Sequence, residues 1–435
     1  MRILIASQTY LPGTNGEAVF TIQLAEGLAQ AGHDVMAVIP SEREFSYQER
    51  IQGVHVCGVA SVHLRFLHPA TYFTPLPDRA VSRAFDAFQP EVVHLQDHYP
   101  LCQSVLHAAR ERHLPVLGTN HFLPENLIFN FAPNLLKHQR PPTWLTYALW
   151  DTMRMVFNQL DLITVPTETA AQILRQQSLY TPVMAVSCGV DTRRFRPRPD
   201  LNQAEVRRAY GFDADQPLFL YVGRLDWEKR IDVILRALHR RPHADLQFGI
   251  AGSGGSAVPK LRALASELGL GPRVRFIGFV PAPDLPRLLN SAEVFVMPSP
   301  EELQSIATIE AMATGKPVLA ANARALPELV TTGVNGCLFR AGDPDDAARQ
   351  IGLLLDKRAE WTKMGQASLE RAQLHSLAAT LRRYESLYQS LLTARRSVPA
   401  SPASRKASAY LPRGIQHLIA NVRAVRRPPP TPAPR

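Results

Sequence analysis

The sequence predicts an α/β fold made of two successive units, each built around a parallel sheet. Short apolar runs alternate with amphipathic helical segments along most of the 435-residue chain, which is typical of parallel strands covered by helices on both faces. The alternation starts again after residue 200, and the second series is similar in length to the first. A chain of this length is also the size expected of two or three domains.

The first unit, residues 1–181, opens with a strand, a loop, a helix and a second strand. Their sequences are RILIA, YLPGTNGE, AVFTIQLAEGLAQAG and HDVMAVIP. Gly32 is placed to end the helix, because glycine adopts the left-handed conformation that closes helices. Further strands of the same sheet are predicted by three later apolar runs, at 91–96, 115–120 and 160–166.

The second unit is expected to span residues 182–375, with the join between the units near 182–200. It alternates four predicted strands and three predicted helices in the order PLFLYVGR, DVILRALHRR, LQFGIAG, AVPKLRALASELG, RVRFIGFV, LPRLLNSA and EVFVMPS. Helical sequence then continues, with a terminal helix expected at 376–395. Residues 396–435 are dominated by Pro, Ser and Arg and are expected to be disordered.

The net charge of +10 belongs almost entirely to this tail. From Arg395 to Arg435 there are eight Arg, one Lys and no acidic residue, which leaves a nearly neutral body. A nucleic-acid partner is therefore not expected, because such proteins carry their basic residues on a folded surface.

The four cysteines lack pair spacing, the N-terminus does not resemble a secretory signal, and no run of 18 apolar residues occurs. These features favour a cytoplasmic protein.

Two glutamates, Glu302 and Glu310, end an otherwise small and apolar stretch in EELQSIATIEAMATGKPVLA. A helix is predicted from Ser305, its candidate N-cap, to Gly315, starting at the carboxyl end of a buried strand. Ligands bind at that edge of a parallel sheet, and a helix N-terminus there favours an anion such as a diphosphate. The carboxylates suit ligand hydroxyls on either side, so the stretch predicts a nucleotide-sugar site. The alternative is that Glu302 is a solvated loop residue and Glu310 is a charged residue on the surface of the helix.

Two cations follow the first strand of the second unit, in YVGRLDWEKRID. Arg224 and Lys229 are placed to hold phosphate oxygens from the side opposite the helix N-terminus. The alternative is a solvated helix start in which these cations pair with Asp226 and Glu228.

Together these motifs resemble the family-four retaining glycosyltransferases, which have the GT-B architecture of two Rossmann-like domains facing a central cleft. The resemblance covers about residues 1–392, with the motifs in the family's order. Its segments are EELQSIATIEAMATGKPVLA, GRLDWEKR, CGVDTRRFRP, YLPGTNGEAVFTIQLAEGLAQAGHDV and GTNHF. The resemblance implies an N-terminal acceptor-binding domain, a C-terminal donor-binding domain, and a terminal helix that packs back on the N-domain.

The resemblance also implies a role for individual residues. Glu310 would hold the ribose hydroxyls and Glu302 the donor hexose. Arg224 and Lys229 would neutralise the diphosphate leaving group, and His121 would lie over the donor sugar. Further donor contacts are implied for Gly16, Gly278, Phe279, Gln304, Ser305 and Ile306. The implied reaction is hexose transfer with retention from UDP-hexose or GDP-mannose, without a metal or a cofactor.

The acceptor is expected to be a membrane lipid or glycolipid, for instance of the diacylglycerol type. Asn15-Gly16 replaces the usual glycine pair, and Gln304-Ser305 replaces the commoner Gly-Phe-Gly, as in members that glycosylate lipids. Basic and aromatic residues are also frequent in 61–85 and in 408–427. Two interpretations of 408–427 are open: an amphipathic helix that lies on an anionic membrane, or a charged tail without fixed structure. Alternatives are a soluble glycan or sugar-phosphate acceptor, a nucleotide-sugar epimerase, or a non-catalytic scaffold.

Three other patterns resemble functional motifs, and structural roles are expected for them instead. AGSGGSA formally contains a dinucleotide-binding fingerprint, but the acidic residue expected after the following strand is missing. The Asp213/Asp215 and Asp343/Asp345 triplets are expected to form a turn and a helix cap rather than a metal site. Gln96-Asp97-His98 is expected to be a simple polar loop, with an acceptor contact as the alternative.

Overall fold

The computed structural model describes residues 1–396, apart from 11–15, 44, 64–71, 76, 124–142, 242–244, 253 and 256. Residues 397–435, which include the predicted segment 408–427, lie outside the described residues. So do residues 64–71 and 76 of the basic and aromatic stretch 61–85. Within the described ranges, no helix is both long enough and apolar enough to cross a membrane.

The first domain is built on an eight-stranded sheet with a short separate hairpin. Its strands are β1 (Arg2–Ala6), β2 (Asp34–Pro40), β3 (Tyr47–Ile51), β4 (Val54–Val59), β5 (Val62–His63), β6 (Tyr72–Phe73), β7 (Val92–Leu95), β8 (Val116–Thr119), β9 (Leu162–Val165) and β10 (Val183–Ala185). The sheet order is β3-β4-β2-β1-β7-β8-β9-β10, and only β3 is antiparallel to its neighbour; β5 and β6 pair with each other. Its helices are α1 (Gly16–Gln30), α2 (Asp78–Phe88), α3 (Pro100–Glu111), α4 (Thr143–Phe157) and α5 (Glu168–Arg175).

The second domain is built on a six-stranded, fully parallel sheet. Its strands are β11 (Leu218–Val222), β12 (Gln247–Ala251), β13 (Val274–Gly278), β14 (Val294–Met297), β15 (Val318–Asn322) and β16 (Gly336–Arg340), in the order β13-β12-β11-β14-β15-β16. The helices that follow the first domain are α6 (Gln203–Ala209), α7 (Ile231–His239), α8 (Val258–Glu267), α9 (Leu285–Ser291), α10 (Ile306–Ala313), α11 (Leu326–Leu329), α12 (Pro344–Asp356), α13 (Trp361–Gln373) and α14 (Leu377–Arg396).

Both sheets reverse their strand order beside their first strand. In the first domain the reversal lies between β1 and β7, and in the second between β11 and β14. Loops that leave neighbouring strands in opposite directions open a crevice at the carboxyl edge, which is where such sheets bind ligands. The predicted α/β fold with two parallel sheets is therefore confirmed, and each domain has one crevice that the fold itself creates.

The apolar runs predicted as strands are buried on both faces. Ile3, Leu4 and Ile5 of β1 are fully buried, and so is β14 along its whole length. Such central strands lack the alternation of half-exposed strands, so they are recognised as continuous runs. The edge strand β3, YQERI, was not predicted, because its mostly exposed polar residues give no apolar run.

The boundary between the domains differs from the predicted one. Strand β10 pairs with β9 in the first sheet, so that sheet extends to Ala185 rather than ending by residue 181. The polypeptide then crosses to the second domain and returns near residue 376. The two crossings touch, because Val190 N–H donates to His375 O at 2.9 Å and Leu377 N–H donates to Val190 O at 2.9 Å.

The terminal helix α14 packs back on the first domain, as predicted. Tyr384 and Tyr388 are fully buried against that domain. The Tyr388 hydroxyl is 2.7 Å from Nδ1 of His94, and Nε2 of His94 is 2.6 Å from the Thr119 hydroxyl. Burial lowers the pKa of His94 well below its ordinary value, so the imidazole is neutral and each ring nitrogen needs a partner of the right kind.

Replacing Tyr388 with phenylalanine is expected to lower the free energy of unfolding by about 1–3 kcal/mol, because one buried ring nitrogen of His94 loses its partner. Urea unfolding followed by circular dichroism measures this loss. Tyr180→Phe is the matched control, since the Tyr180 side chain is 83% exposed and its substitution is expected to change stability by less than about 0.5 kcal/mol. Equal effects of the two variants would contradict a stabilising role for the His94 contact.

Candidate active site

The candidate active site lies at the strand reversal of the second sheet. The loop after β11 (223–230) and the loop after β14 (298–305) leave neighbouring strands, and α10 begins directly after the second loop. The loops contact each other, since the Ser299 hydroxyl donates to Glu228 O at 3.4 Å. The glutamate segment therefore starts at the carboxyl end of a buried strand, as the sequence predicted.

Three of the four predicted charged residues form one cluster in these loops. Lys229 Nζ is 2.7 Å from Glu302 Oε1 and 3.4 Å from Glu228 Oε1. The Arg224 guanidinium is 3.0 Å from a carboxylate oxygen of Asp226 and 3.0 Å from one of Glu228. The alternative, a solvated helix start in which both cations pair with Asp226 and Glu228, describes the pairing of Arg224, whereas Lys229 is shielded from solvent and lies closest to Glu302. Two cations and three carboxylates share the cluster.

The electrostatics of the cluster keep Lys229 and Glu302 ionised. Burial opposes the charge of Glu302, but the adjacent Lys229 ammonium and its hydrogen bond outweigh burial and lower the pKa of that carboxyl. Burial likewise opposes the charge of Lys229, and the carboxylates of Glu302 and Glu228 outweigh it and raise the pKa of the ammonium. The Lys229 side chain is only 17% exposed whereas that of Arg224 is 37% exposed, so Arg224 is the more open cation.

Glu310 occupies a separate environment inside α10. Its neighbours Thr308, Ile309 and Ala311 are fully buried, and Glu310 itself is half-buried. Burial raises the pKa of Glu310 to about 8, against the opposing charge of Arg194 from the connection between the domains. A carboxyl group held in this way is neutral or partly ionised near pH 7 and offers both a donor and an acceptor to ligand hydroxyls.

Replacing Glu310 with glutamine is expected to stabilise the protein in alkaline solution. The folded protein keeps the Glu310 proton, with a pKa near 8, where the unfolded chain with its ordinary value of 4.5 has lost it. The burial penalty therefore grows between pH 4.5 and 8, and its removal is expected to add about 1–3 kcal/mol at pH 8 and nothing at pH 4. Thermal unfolding at both pH values, with the exposed Glu267→Gln as control, measures the difference. A gain that does not depend on pH would contradict this origin.

Ser305 precedes α10 but does not cap it, which corrects the predicted N-cap. Its backbone has φ +71°, and its hydroxyl bonds the Thr308 hydroxyl at 2.7 Å instead of a backbone N–H. The Ser305 side chain therefore does not occupy the first-turn N–H groups of α10, and N–H groups at a helix start favour a ligand anion. Gly16, at the start of α1, faces this end of the helix: a Cβ atom on Gly16 would lie 3.7 Å from Ile306 Cδ1.

The Gln304 side chain joins the two domains rather than facing a ligand. Its Oε1 accepts from Cys188 N–H at 2.9 Å, and its Nε2 donates to the Ser187 hydroxyl at 2.8 Å and to Pro166 O at 3.3 Å. Next to it, Leu303 O accepts from the Thr167 hydroxyl at 2.8 Å. The resemblance implied a donor contact for Gln304, and no signal in the sequence indicated this bridge, because the partners are distant in the chain.

His121 lies after β8 on the first domain, at the carboxyl edge of its sheet. Its Nε2 is 2.9 Å from Gln96 Oε1, and its ring packs on Phe20 with 5.0 Å between the ring centroids. Burial lowers the pKa of His121 to about 3, so the imidazole is neutral and Nε2 donates to the amide oxygen. Gln96 therefore fixes the ring orientation, a role that the sequence did not indicate.

Gly278 and Phe279 lie at the carboxyl end of β13, beside the glycine-rich loop after β12. Gly252 N–H donates to Gly278 O at 2.8 Å, and the Phe279 side chain is 67% exposed. A Cβ atom on Gly252 would lie 1.8 Å from Gly223 O, and one on Gly255 would lie 2.3 Å from Leu225 O. Gly252 and Gly255 thus let this loop pack against the loop that carries Arg224.

The aspartate triplets have structural roles. Asp343 caps α12 by accepting from the N–H groups of Asp345 and Asp346 at 2.9 and 3.0 Å. Asp213 accepts from Asp215 N–H at 2.9 Å in a turn. In the described part of the chain, no group of three or more His, Cys, Asp or Glu side chains is arranged to hold a metal ion.

Two family models match the chain in succession. Residues 14–194 match the model described as Glycosyltransferase Family 4, and residues 202–371 match the model described as glycosyl transferases group 1. The chain belongs to the family 4 glycosyltransferases. Each matched range falls on one of the two sheets, so the domain organisation and the family agree.

Curated relatives of this glycosyltransferase have names that refer to different sugars and substrates. It is 25% identical over 362 residues to the sulfoquinovosyl transferase SQD2 of Arabidopsis thaliana (81% of this chain, 66% of the relative). It is 25% identical over 344 residues to the GDP-mannose-dependent alpha-mannosyltransferase of Corynebacterium glutamicum (79% and 78%). It is 35% identical over 219 residues to the D-inositol 3-phosphate glycosyltransferase of Corynebacterium efficiens (49% and 52%). The chain thus spans from about half to about three-quarters of the length of these relatives.

Solved structures resemble this glycosyltransferase over both domains. The sucrose-phosphate synthase from Thermosynechococcus elongatus superposes with a TM-score of 0.73 at 23% identity, covering 90% of this chain and 99% of that one. Anabaena HepE, solved in complex with UDP-glucose, superposes with a TM-score of 0.69 at 18% identity, covering 89% and 100%. These similarities confirm the predicted GT-B fold.

Proposed function

We propose that this glycosyltransferase moves a hexose from a nucleotide sugar to an acceptor with retention of the anomeric configuration. The observation that carries the proposal is the cluster of Arg224, Lys229 and Glu302 beside the start of α10. It combines cations and backbone N–H groups for a diphosphate with a carboxylate for sugar hydroxyls, within the crevice created by the strand reversal. The relative named for a GDP-mannose donor and the neighbour solved with UDP-glucose support a nucleotide-sugar donor.

The diphosphate is proposed to lie between Arg224 and the N-terminus of α10. Arg224 has the more exposed side chain of the two cations, so phosphate oxygens reach it without breaking the buried Lys229–Glu302 pair. Negative charge grows on the leaving phosphate as the bond to the sugar breaks, and preorganised cations and N–H groups stabilise that charge. We propose that these groups make a divalent metal unnecessary.

The two ends of the donor are assigned to the flanking groups. Glu302, held in place by Lys229, accepts from hexose hydroxyls, and Glu310 binds the ribose hydroxyls. The exposed Phe279 and the peptide groups after Gly278 lie at the edge of β13, where they meet the base. His121 lies over the sugar from the opposite domain as a neutral hydrogen-bonding group, and capture of the sugar by the acceptor on the face that the phosphate leaves gives retention.

The acceptor is proposed to be a membrane lipid or glycolipid, reached by a peripheral protein at the cytoplasmic face of the membrane. Support comes from the basic and aromatic residues of 61–85 and from 408–427, which has the composition of an amphipathic helix for anionic lipid. A second candidate is a soluble sugar-phosphate acceptor. It is favoured by the relatives named D-inositol 3-phosphate glycosyltransferase, which are 31–35% identical over about half to two-thirds of this chain.

A panel of nucleotide sugars, incubated with the full-length protein and EDTA, tests the donor half of this proposal. Release of the nucleoside diphosphate from one donor, accelerated by added membrane lipid extract, is the expected result, with NMR showing a retained anomeric configuration in the product. Acceleration by D-inositol 3-phosphate and not by lipid would favour the second candidate. Conversion of the donor into an isomer would identify an epimerase, and no turnover of any donor would contradict the proposal.

A further inference from the structure

The carboxyl edge of the first sheet contains buried polar atoms that have no hydrogen-bond partner among the residues that the structure describes. These atoms are Nε2 of Gln96 after β7, Nδ1 of His98 two residues later, and both amide atoms of Asn120 after β8. The three residues are only 0%, 5% and 1% exposed, respectively. Because an unsatisfied buried polar group costs about 1–3 kcal/mol, several at one edge of a sheet indicate a binding site for a polar ligand.

This cluster adjoins the proposed donor site. Gln96 binds His121, the residue assigned to the donor sugar, through its Oε1. The edge also lies at the strand reversal of the first sheet, beside the start of α1, where a Cβ atom on Gly16 would lie 3.7 Å from Ile306 Cδ1 of the second domain. A ligand held by Gln96 and Asn120 therefore approaches the donor sugar from the side of the first domain.

The unpartnered atoms are uncharged and include both donors and acceptors. Since Oε1 of Gln96 is held by His121, its free Nε2 is presented as a donor. The Asn120 amide offers one donor and one acceptor group, which matches two neighbouring hydroxyls of a polyol. Burial lowers the pKa of His98 to about 4, so its free Nδ1 belongs to a neutral ring.

The charged groups behind this cluster are acidic. Glu17 and Asp97 are both buried, and Asp97 accepts from the N–H groups of Gln8 at 2.6 Å and Tyr99 at 2.8 Å. Burial raises the pKa of Glu17, and the charge of Asp97 raises it further. Among the residues that the structure describes, no Lys or Arg is bonded to Glu17, Asp97, Gln96, His98 or Asn120. Burial raises the pKa of Asp97 as well. A phosphate placed here meets no cation from the described residues, and whichever carboxyl of the pair is ionised repels it.

We propose that Gln96, His98 and Asn120 bind the reactive end of the acceptor, and that this end is a neutral polyhydroxyl group rather than a phosphate-bearing one. The inference rests on the proposed transferase function and specifies its acceptor class. The neutral group is a sugar or glycerol unit, either free or as the headgroup of a lipid. A simple polar loop, which the sequence predicted for 96–98, does not explain side chains that are buried and unsatisfied.

Kinetics with matched acceptors test the proposal, using the donor that the full-length protein hydrolyses. Free neutral acceptors are glycerol and methyl glucoside, lipid-borne ones are diacylglycerol and glucosyl-diacylglycerol in mixed micelles, and phosphate-bearing ones are glycerol 3-phosphate and inositol 3-phosphate. We expect kcat/KM for the best neutral acceptor to exceed that for its phosphorylated counterpart at least tenfold. The free and lipid-borne arms show which source of the neutral group is used.

Asn120→Leu is the informative variant, because it removes the unsatisfied amide without opening a cavity. We expect the acceptor KM to rise at least tenfold, the donor KM to change less than threefold, and the melting temperature to stay equal or increase. Gln350→Leu is the matched control, since Gln350 also has an unpartnered buried amide oxygen but lies on α12 of the second domain; its acceptor KM is expected to stay unchanged. Asn120→Ser provides a second variant if the leucine protein does not fold.

Two results would overturn the inference while leaving the transferase function intact. One is a better kcat/KM for the phosphate-bearing acceptors. The other is an Asn120→Leu protein that is less stable but has the acceptor KM of the wild type, which would make Asn120 a purely structural residue. Absence of turnover with every donor would overturn the proposed function itself, and the inference with it.

Discussion

Lys229→Met is expected to lower kcat by about 10²- to 10³-fold, because it removes a preorganised positive charge from the proposed diphosphate site. Lys229 is held 2.7 Å from Glu302 and is largely shielded from solvent, so water does not replace it. The variant also leaves Glu302 buried without its nearest partner, which is expected to cost about 3–5 kcal/mol of stability. Initial rates with saturating donor, together with urea unfolding, measure both effects.

The Lys229→Met/Glu302→Gln double variant separates the stability cost of an unpaired Glu302 carboxylate from the loss of activity. It removes the unpaired carboxylate, so we expect stability to recover while kcat stays low. Arg358→Met is the control for loss of a cation on the same domain, since Arg358 forms an exposed pair with Asp245 and exposed pairs contribute about 0–1 kcal/mol. If the double variant recovered full activity, Lys229 would serve only to neutralise Glu302.

Gly252→Ala is expected to abolish most of the activity and to destabilise the second domain by about 3 kcal/mol or more, as severe overpacking does. The new methyl group would lie 1.8 Å from Gly223 O, a backbone atom that cannot rotate away. Relief requires movement of the loop after β11, and that loop carries Arg224. Activity at 25 °C and the melting temperature are the measurements.

Gly254→Ala is the matched control in the same loop. Gly254 has φ +73° with nothing within 4 Å of its added Cβ, so the expected cost is the left-handed conformation alone, about 1–2 kcal/mol. Activity is then expected to stay close to that of the wild type. Similar losses in the two variants would show that backbone conformation, and not contact with Gly223, explains the glycines of this loop.

The central strands and the segment that carries Arg224 and Lys229 could be predicted from the sequence because their signals are local. Continuous apolar runs fixed β1, β7 and β14, and the position of Glu302 after a buried strand placed it at the ligand edge of the sheet. Edge strand β3 and the end of the first sheet at β10 lacked such a signal. Short polar or isolated strands are defined by the neighbour that they pair with, and the sequence does not name that neighbour.

Contacts between distant segments could not be predicted. Gln304 bridges the domains through partners more than a hundred residues away, and Gln96 meets His121 across 25 residues. Asp97 also differs from the polar loop expected at 96–98, because it is buried and bonded to two backbone N–H groups. A single sequence indicates which residues are polar, whereas burial depends on which elements cover them.

The return of α14 to the first domain has a consequence for how the polypeptide is made. Domains fold as units, and the N-terminal one does so first as the chain emerges from the ribosome. Here the first domain lacks Tyr384 and Tyr388, which fill its core beside His94, until translation has passed the whole second domain. During synthesis an apolar surface and the buried imidazole are therefore exposed for as long as it takes to translate about two hundred residues.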